Sequence, residues 1–92
     1  MPKRDEVEPK VIKKIASVVH RKPEAISETD RLWEDLGMGP TVRKAMALPY
    51  SKIAEEDFGG SPVSQTDAGN LKTVKASVDL VFTRANERSV RP

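Results

Sequence analysis

Three stretches of this chain repeat apolar residues every three or four positions, and no stretch alternates apolar with polar residues in a sustained way. A period near 3.6 marks a helix with one buried face, whereas a half-buried strand needs a period of two. The expected class is therefore all-α. Val11, Ile12, Ile15, Val18 and Val19 predict a helix over 8–20, with Lys10, Lys13, Lys14 and Ser17 on its other side. Pro9 suits its first turn, where a missing N–H costs nothing, and Pro23 lies beyond its end. Val42, Ala45, Met46, Tyr50, Ile53, Ala54 and Phe58 predict a second helix over 41–58. Pro49 must break or kink it, because a proline in a helix interior deletes one hydrogen bond and crowds a carbonyl, at a cost of about 3 kcal/mol. After Gly59-Gly60-Ser61-Pro62 a short helix is expected over 64–69, and Leu71, Val74, Val78, Val81 and Phe82 predict a last helix over 71–84.

Between the first two helices, residues 21–40 hold no period but carry isolated apolar anchors at Ile26, Leu32, Trp33 and Leu36. So long a connection in a small domain must be pinned over the core by such residues. Trp33, flanked by Leu32 and Leu36, is expected to pack with them. The 92 residues make one domain over 8–84, between a flexible start (1–7) and a flexible tail (85–92). A monomer is expected.

The absence of cysteine and the single His20 remove disulfide frameworks, thiol nucleophiles and multi-histidine metal sites. His20, near the end of the first helix, is read as structural, since an imidazolium there meets the carbonyl end of the helix dipole. Glu34-Asp35 and Glu55-Glu56-Asp57 lack the spacing of an oxygen-ligand loop, so no metal site and no catalytic residue are assigned. A non-enzymatic protein is expected. No apolar run is long enough for a membrane helix or a signal peptide, which predicts a cytoplasmic location without membrane association.

Charge is unevenly spread. Residues 1–22 carry seven Lys/Arg against three acids, residues 23–82 six against ten, and residues 83–92 three against one. Basic ends thus flank a mildly acidic body. Without a clustered basic face interleaved with aromatics, nucleic acid is the disfavoured partner, and a basic helical adaptor for nucleic acid or an acidic surface is a lesser alternative.

The order helix, long anchored loop, helix, short helix, helix resembles an acyl carrier protein or related phosphopantetheine-binding domain, a four-helix bundle of three principal helices and a short one. Leu32-Trp33-Glu34-Asp35-Leu36-Gly37 is similar to the "F-x-E-D-L-G" ahead of that family's prosthetic-group site. Met46-Ala47-Leu48 and Glu55-Glu56-Asp57-Phe58 resemble its "M-A-L-E-E-E-F", split here by residues 49–54. Leu71 to Asp79 is similar to the "I-T-T-V-x-x-A-I-D" opening its last helix, and the whole likeness spans residues 7–82.

The resemblance implies a serine at the start of the second helix, esterified to 4′-phosphopantetheine. The chain departs there, reading Met38-Gly39-Pro40-Thr41-Val42. Gly39, Pro40 and Thr41 are the equivalent of the carrier site, and Pro40 has no hydroxyl to modify. No cofactor is expected, except under an alternative in which Thr41 carries the group. The resemblance also implies an acidic second helix that meets basic partners, yet Arg43 and Lys44 stand in its first turns, where they oppose the dipole by a few tenths of a kcal/mol each. Met38, Arg43, Lys44 and Ala47 are the candidate surface for a protein partner. By the resemblance, that partner is a synthase or transferase subunit of fatty-acid or polyketide synthesis, which the chain engages as a non-catalytic docking module.

Overall fold

The computed structural model describes residues 3–87, and among these the chain is helical, without a strand. Its helices are α1 (Arg4–Val19), α2 (Pro40–Ala45), α3 (Ala47–Lys52), α4 (Gln65–Gly69) and α5 (Val74–Asn86). A π-helical turn, Ile53–Asp57, extends α3, and a single 3₁₀ turn occupies Pro23–Ala25. No helix among the described residues is long and apolar enough to cross a membrane.

The first helix starts four residues earlier than the apolar pattern suggested, so residues 4–7, expected in a flexible start, belong to α1. Val7 lies four residues before Val11, joins the stripe of Val11, Ile15 and Ala16, and is fully buried. Pro9 accordingly sits inside the helix instead of in its first turn. Pro9 and Asp5, whose carbonyl loses its usual helical partner, are both exposed residues, where such a loss costs least. Asp5 and Glu6 suit the positive end of the dipole. Arg4 bonds Glu28 of the loop and Asp79 of α5 (2.7 Å), and reaches Glu8 at 3.5 Å. It thereby ties three parts of the chain together and holds the Glu28 carboxyl below its usual range. At the other terminus α5 runs to Asn86 with Ala85 buried, two residues past the expected end. The remainder of the proposed tail, from residue 88, lies outside the described residues.

His20 ends α1 in the left-handed region (φ 58°, ψ 45°), with the amides of His20 and Arg21 both donating to the Ala16 carbonyl. For a residue with a Cβ this conformation costs about 1–2 kcal/mol, and glycine adopts it freely. His20→Gly is therefore expected to raise stability by about 1 kcal/mol, seen as a higher urea midpoint. An unchanged or lower midpoint would show that the exposed imidazole contributes more than its backbone conformation costs.

The loop is fastened by backbone bonds to the start of α5. Leu32 donates to the Lys72 carbonyl (2.8 Å), while the amides of Val74 and Lys75 donate to Asp30 and Glu28 (3.0 Å each). Helix starts leave amides without partners, and here loop carbonyls and the Thr73 hydroxyl, which accepts from Ala76 (3.0 Å), supply them. Ile26, Leu32 and Leu36 enter the core as anchors.

The second apolar stretch divides, as its proline requires, but at Met46, three residues ahead of Pro49. Pro49 then falls in the first turn of α3, where no intrahelical amide bond is needed. The π turn ends on Gly59 (φ 71°), with the Gly60 amide donating to the Ala54 carbonyl (2.7 Å). α1 packs along α5, α2 against α4, and the π turn against α5. Tyr50, Ile15, Leu32 and Met38 are the bulkiest side chains wholly inside.

Candidate functional site

The junction between the long loop and α2 is shaped by two glycines. Gly37 takes a positive φ of 72°, its amide donating to the Trp33 carbonyl (3.0 Å), and the next amide, Met38, donates to Leu32 (2.7 Å). That turn reverses the chain and sends the Met38 side chain into the core, 1% exposed. Gly39 follows in extended conformation as the N-cap, and Pro40 is the first residue of α2. The first helical position, at which the resemblance expects the esterified serine, thus holds a residue suited to it by a fixed φ and a dispensable amide, and without a hydroxyl. Thr41 is exposed one position later.

The partner surface needs two corrections. Met38 cannot meet a partner, and neither can Ala47, which is 6% exposed and is buried in α3 together with Tyr50. Trp33 is the opposite case. It was expected to pack with Leu32 and Leu36, but those two residues are four apart on the inner side of one turn, so the residue next to Leu32 points outward, 55% exposed. Its ring stands over Gly39, close enough that an added Cβ there would lie 3.2 Å from Trp33 Cζ3.

Arg43 and Lys44 remain on the surface, with Arg43 half-buried. Because α2 ends at Ala45, both lie in its last turn. The expected dipole penalty is reversed there, since a carbonyl end favours cations. Arg43 Nη1 donates to the Leu71 carbonyl (3.3 Å), and its Nε is buried without a partner. The Lys44 stem lies against Gly69, where an added Cβ would come within 2.9 Å of Lys44 Cγ.

Beside this junction opens a cleft of about 430 Å³, lined by Arg31, Trp33, Glu34, Arg43, Lys72 and Thr73. Arg31 and Lys72 were not singled out by the sequence. They meet Arg43 only because the loop pairs with the segment ahead of α5, with Arg31 opposite Thr73, and no local pattern announces that pairing. Arg31 is engaged by its neighbours, at 3.3 Å from Asp35 and 3.8 Å from Glu34. The bonds from the Arg31 side chain and amide hold the Asp35 carboxyl below its usual range. A second open groove, about 300 Å³, runs past Lys14, Leu48, Pro49, Lys52, Ile53, Glu56 and Asp57, where Asp57 is paired with Lys10 at 3.5 Å. No protein-family model matches this chain, and no curated protein matches it.

Proposed function

We propose that the chain is an acyl-carrier-like domain that carries no phosphopantetheine and acts as a non-catalytic docking module for a protein of fatty-acid or polyketide synthesis. The observation that carries this reading is Pro40 at the first position of α2, where a carrier needs a hydroxyl. Two others support it. The residues that interrupt the second-helix likeness, 49–54, fall in α3 and the start of the π turn, so the break in the likeness coincides with the irregular part of this helical stretch. The surface beside the junction presents Arg43, Lys44, Lys72 and the exposed Trp33 in place of an acidic helix, which favours an acidic partner over the basic ones carriers meet.

The exposed Thr41 favours the second reading, a specialised carrier modified at that residue. Its β-methyl crowds the oxygen and restricts χ1, and no aspartate precedes it. Incubation with coenzyme A and a promiscuous phosphopantetheinyl transferase is therefore expected to leave the mass of the chain unchanged. Stoichiometric modification that disappears in Thr41→Ala would overturn the docking reading in favour of the carrier. The double variant Gly39→Asp with Pro40→Ser restores the family's Asp-Ser pair and is expected to gain partial modification at the new serine. The exposed Trp33 ring has room to give way to the added Cβ. Complete refusal by a folded double variant would count against the acyl-carrier assignment.

A further inference from the structure

The cleft between the loop and the start of α5 has a chemistry that docking does not require. Its volume, about 430 Å³, falls in the range of small-molecule sites. Of its three cations, Arg31 is answered within the chain by Asp35 and Glu34. Arg43 and Lys72 make no salt bridge among the described residues. Arg43 is held by one long bond to a carbonyl, which leaves terminal N–H donors of its fork uncommitted. Two unanswered cations in one concavity suit an anion with several acceptor oxygens, and a guanidinium fork suits phosphate in particular. Thr73 accepts from the Ala76 amide and still has its own hydroxyl proton to donate. The exposed indole of Trp33 gives the same cleft a flat apolar wall, and an indole face is a stacking platform for a planar ring.

The geometry points to a binding site for a nucleoside phosphate, its phosphate oxygens between Arg43 and Lys72 and its base stacked on Trp33. The inference draws on Arg43, Lys72 and Trp33, which the docking proposal offers to an acidic partner, but it needs neither Pro40 nor a protein partner and its test reads small-molecule binding alone. A free nucleotide and one residue of a polynucleotide share this chemistry. Trp33 is the chain's single tryptophan, so its fluorescence reads the cleft directly. The intact chain is titrated with ADP, pyrophosphate, adenosine and a short single-stranded oligonucleotide, with calorimetry as the second readout.

ADP is expected to quench Trp33 saturably, with pyrophosphate and adenosine each weaker by about tenfold or more, because each lacks one of the two recognised parts. Lys72→Ala, a change at an exposed side chain, is expected to weaken ADP by about tenfold with unchanged circular dichroism, and Leu48→Ala to leave it unaltered. An oligonucleotide that binds more tightly than ADP and shares the Lys72 dependence assigns the site to a polynucleotide, and the reverse order to a free nucleotide. Equal affinity for ADP and pyrophosphate, indifference to Lys72→Ala, or no saturable binding of ADP or the oligonucleotide would each overturn the inference.

Discussion

Replacing Gly60 by alanine is expected to lower the stability of the fold by about 3 kcal/mol or more, a large part of what a domain of this size possesses. Gly60 is buried where the π turn meets the end of α5. A Cβ there would overlap the Arg84 carbonyl oxygen and stand 2.6 Å from Ala85 Cα. Both obstacles are backbone, so no rotamer change relieves them. The Arg84 carbonyl is also held in place, accepting from Ser61 (2.8 Å), and the Arg84 guanidinium pairs with Asp67 (3.0 Å) and Glu87. Gly59 provides the internal comparison. It has a positive φ of 71° but nothing within 4 Å of an added Cβ, so Gly59→Ala bears only the left-handed penalty of about 1–2 kcal/mol. Urea unfolding followed by circular dichroism separates the two. A midpoint for Gly60→Ala no lower than that of Gly59→Ala would refute the close approach.

The same pair of glycines shows where a sequence is readable. Gly59-Gly60 marks a chain break whichever glycine serves the turn and whichever the packing, because the turn signal is local and the approach of α5 is not. Helical stripes are local in the same sense. Ile15, Tyr50, Val74 and Val78 are identifiable by spacing and are buried, whereas Val18, Val42 and Ala45 of the same stripes are exposed. The start of α1 is obscured by Pro9, which marks a boundary by local rules, although Val7 continues the four-residue spacing ahead of it. Anchoring by Val7 and Arg4 outweighs one lost hydrogen bond on the exposed side of the helix. The errors at the site come from turn geometry. Met38 is drawn inward by the positive φ of Gly37, and Trp33 is turned outward by the inward anchors Leu32 and Leu36. The cation pair Arg43 and Lys72 depends on bonds between segments some forty residues apart, for which composition and periodicity carry no signal.

Tyr50 is the largest fully buried side chain, and its two halves should respond to mutation in opposite directions. Tyr50→Ala empties the centre of the bundle and is expected to cost about 3–5 kcal/mol, as for other large aromatic truncations. Tyr50→Phe keeps the ring and removes a hydroxyl that has no hydrogen-bond partner in the core. Against the larger effect of burial, Ser77, fully buried beside it, lowers the Tyr50 pKa slightly, but it donates its own proton to the Thr73 carbonyl (3.2 Å) and makes no hydrogen bond of good geometry with the phenol. Leaving a buried hydroxyl unpaired costs about 1–3 kcal/mol, so Tyr50→Phe is expected to be neutral or stabilising near neutral pH. Alkaline pH should widen the difference. Burial disfavours the phenolate and pushes the Tyr50 pKa up to about 12 from the ordinary 10. The folded state therefore holds this proton more tightly than the unfolded state does. Its contribution is intact below pH 10 and is lost as pH rises from about 10 to 12, since only the unfolded chain gains by ionising in that window. Two pKa units correspond to about 3 kcal/mol, so Tyr50→Phe should lose less stability than the wild type over that interval by an amount of that order. Contributions common to both proteins cancel in the difference. Parallel stability curves from neutral to alkaline pH would mean that the hydroxyl reaches solvent or a partner.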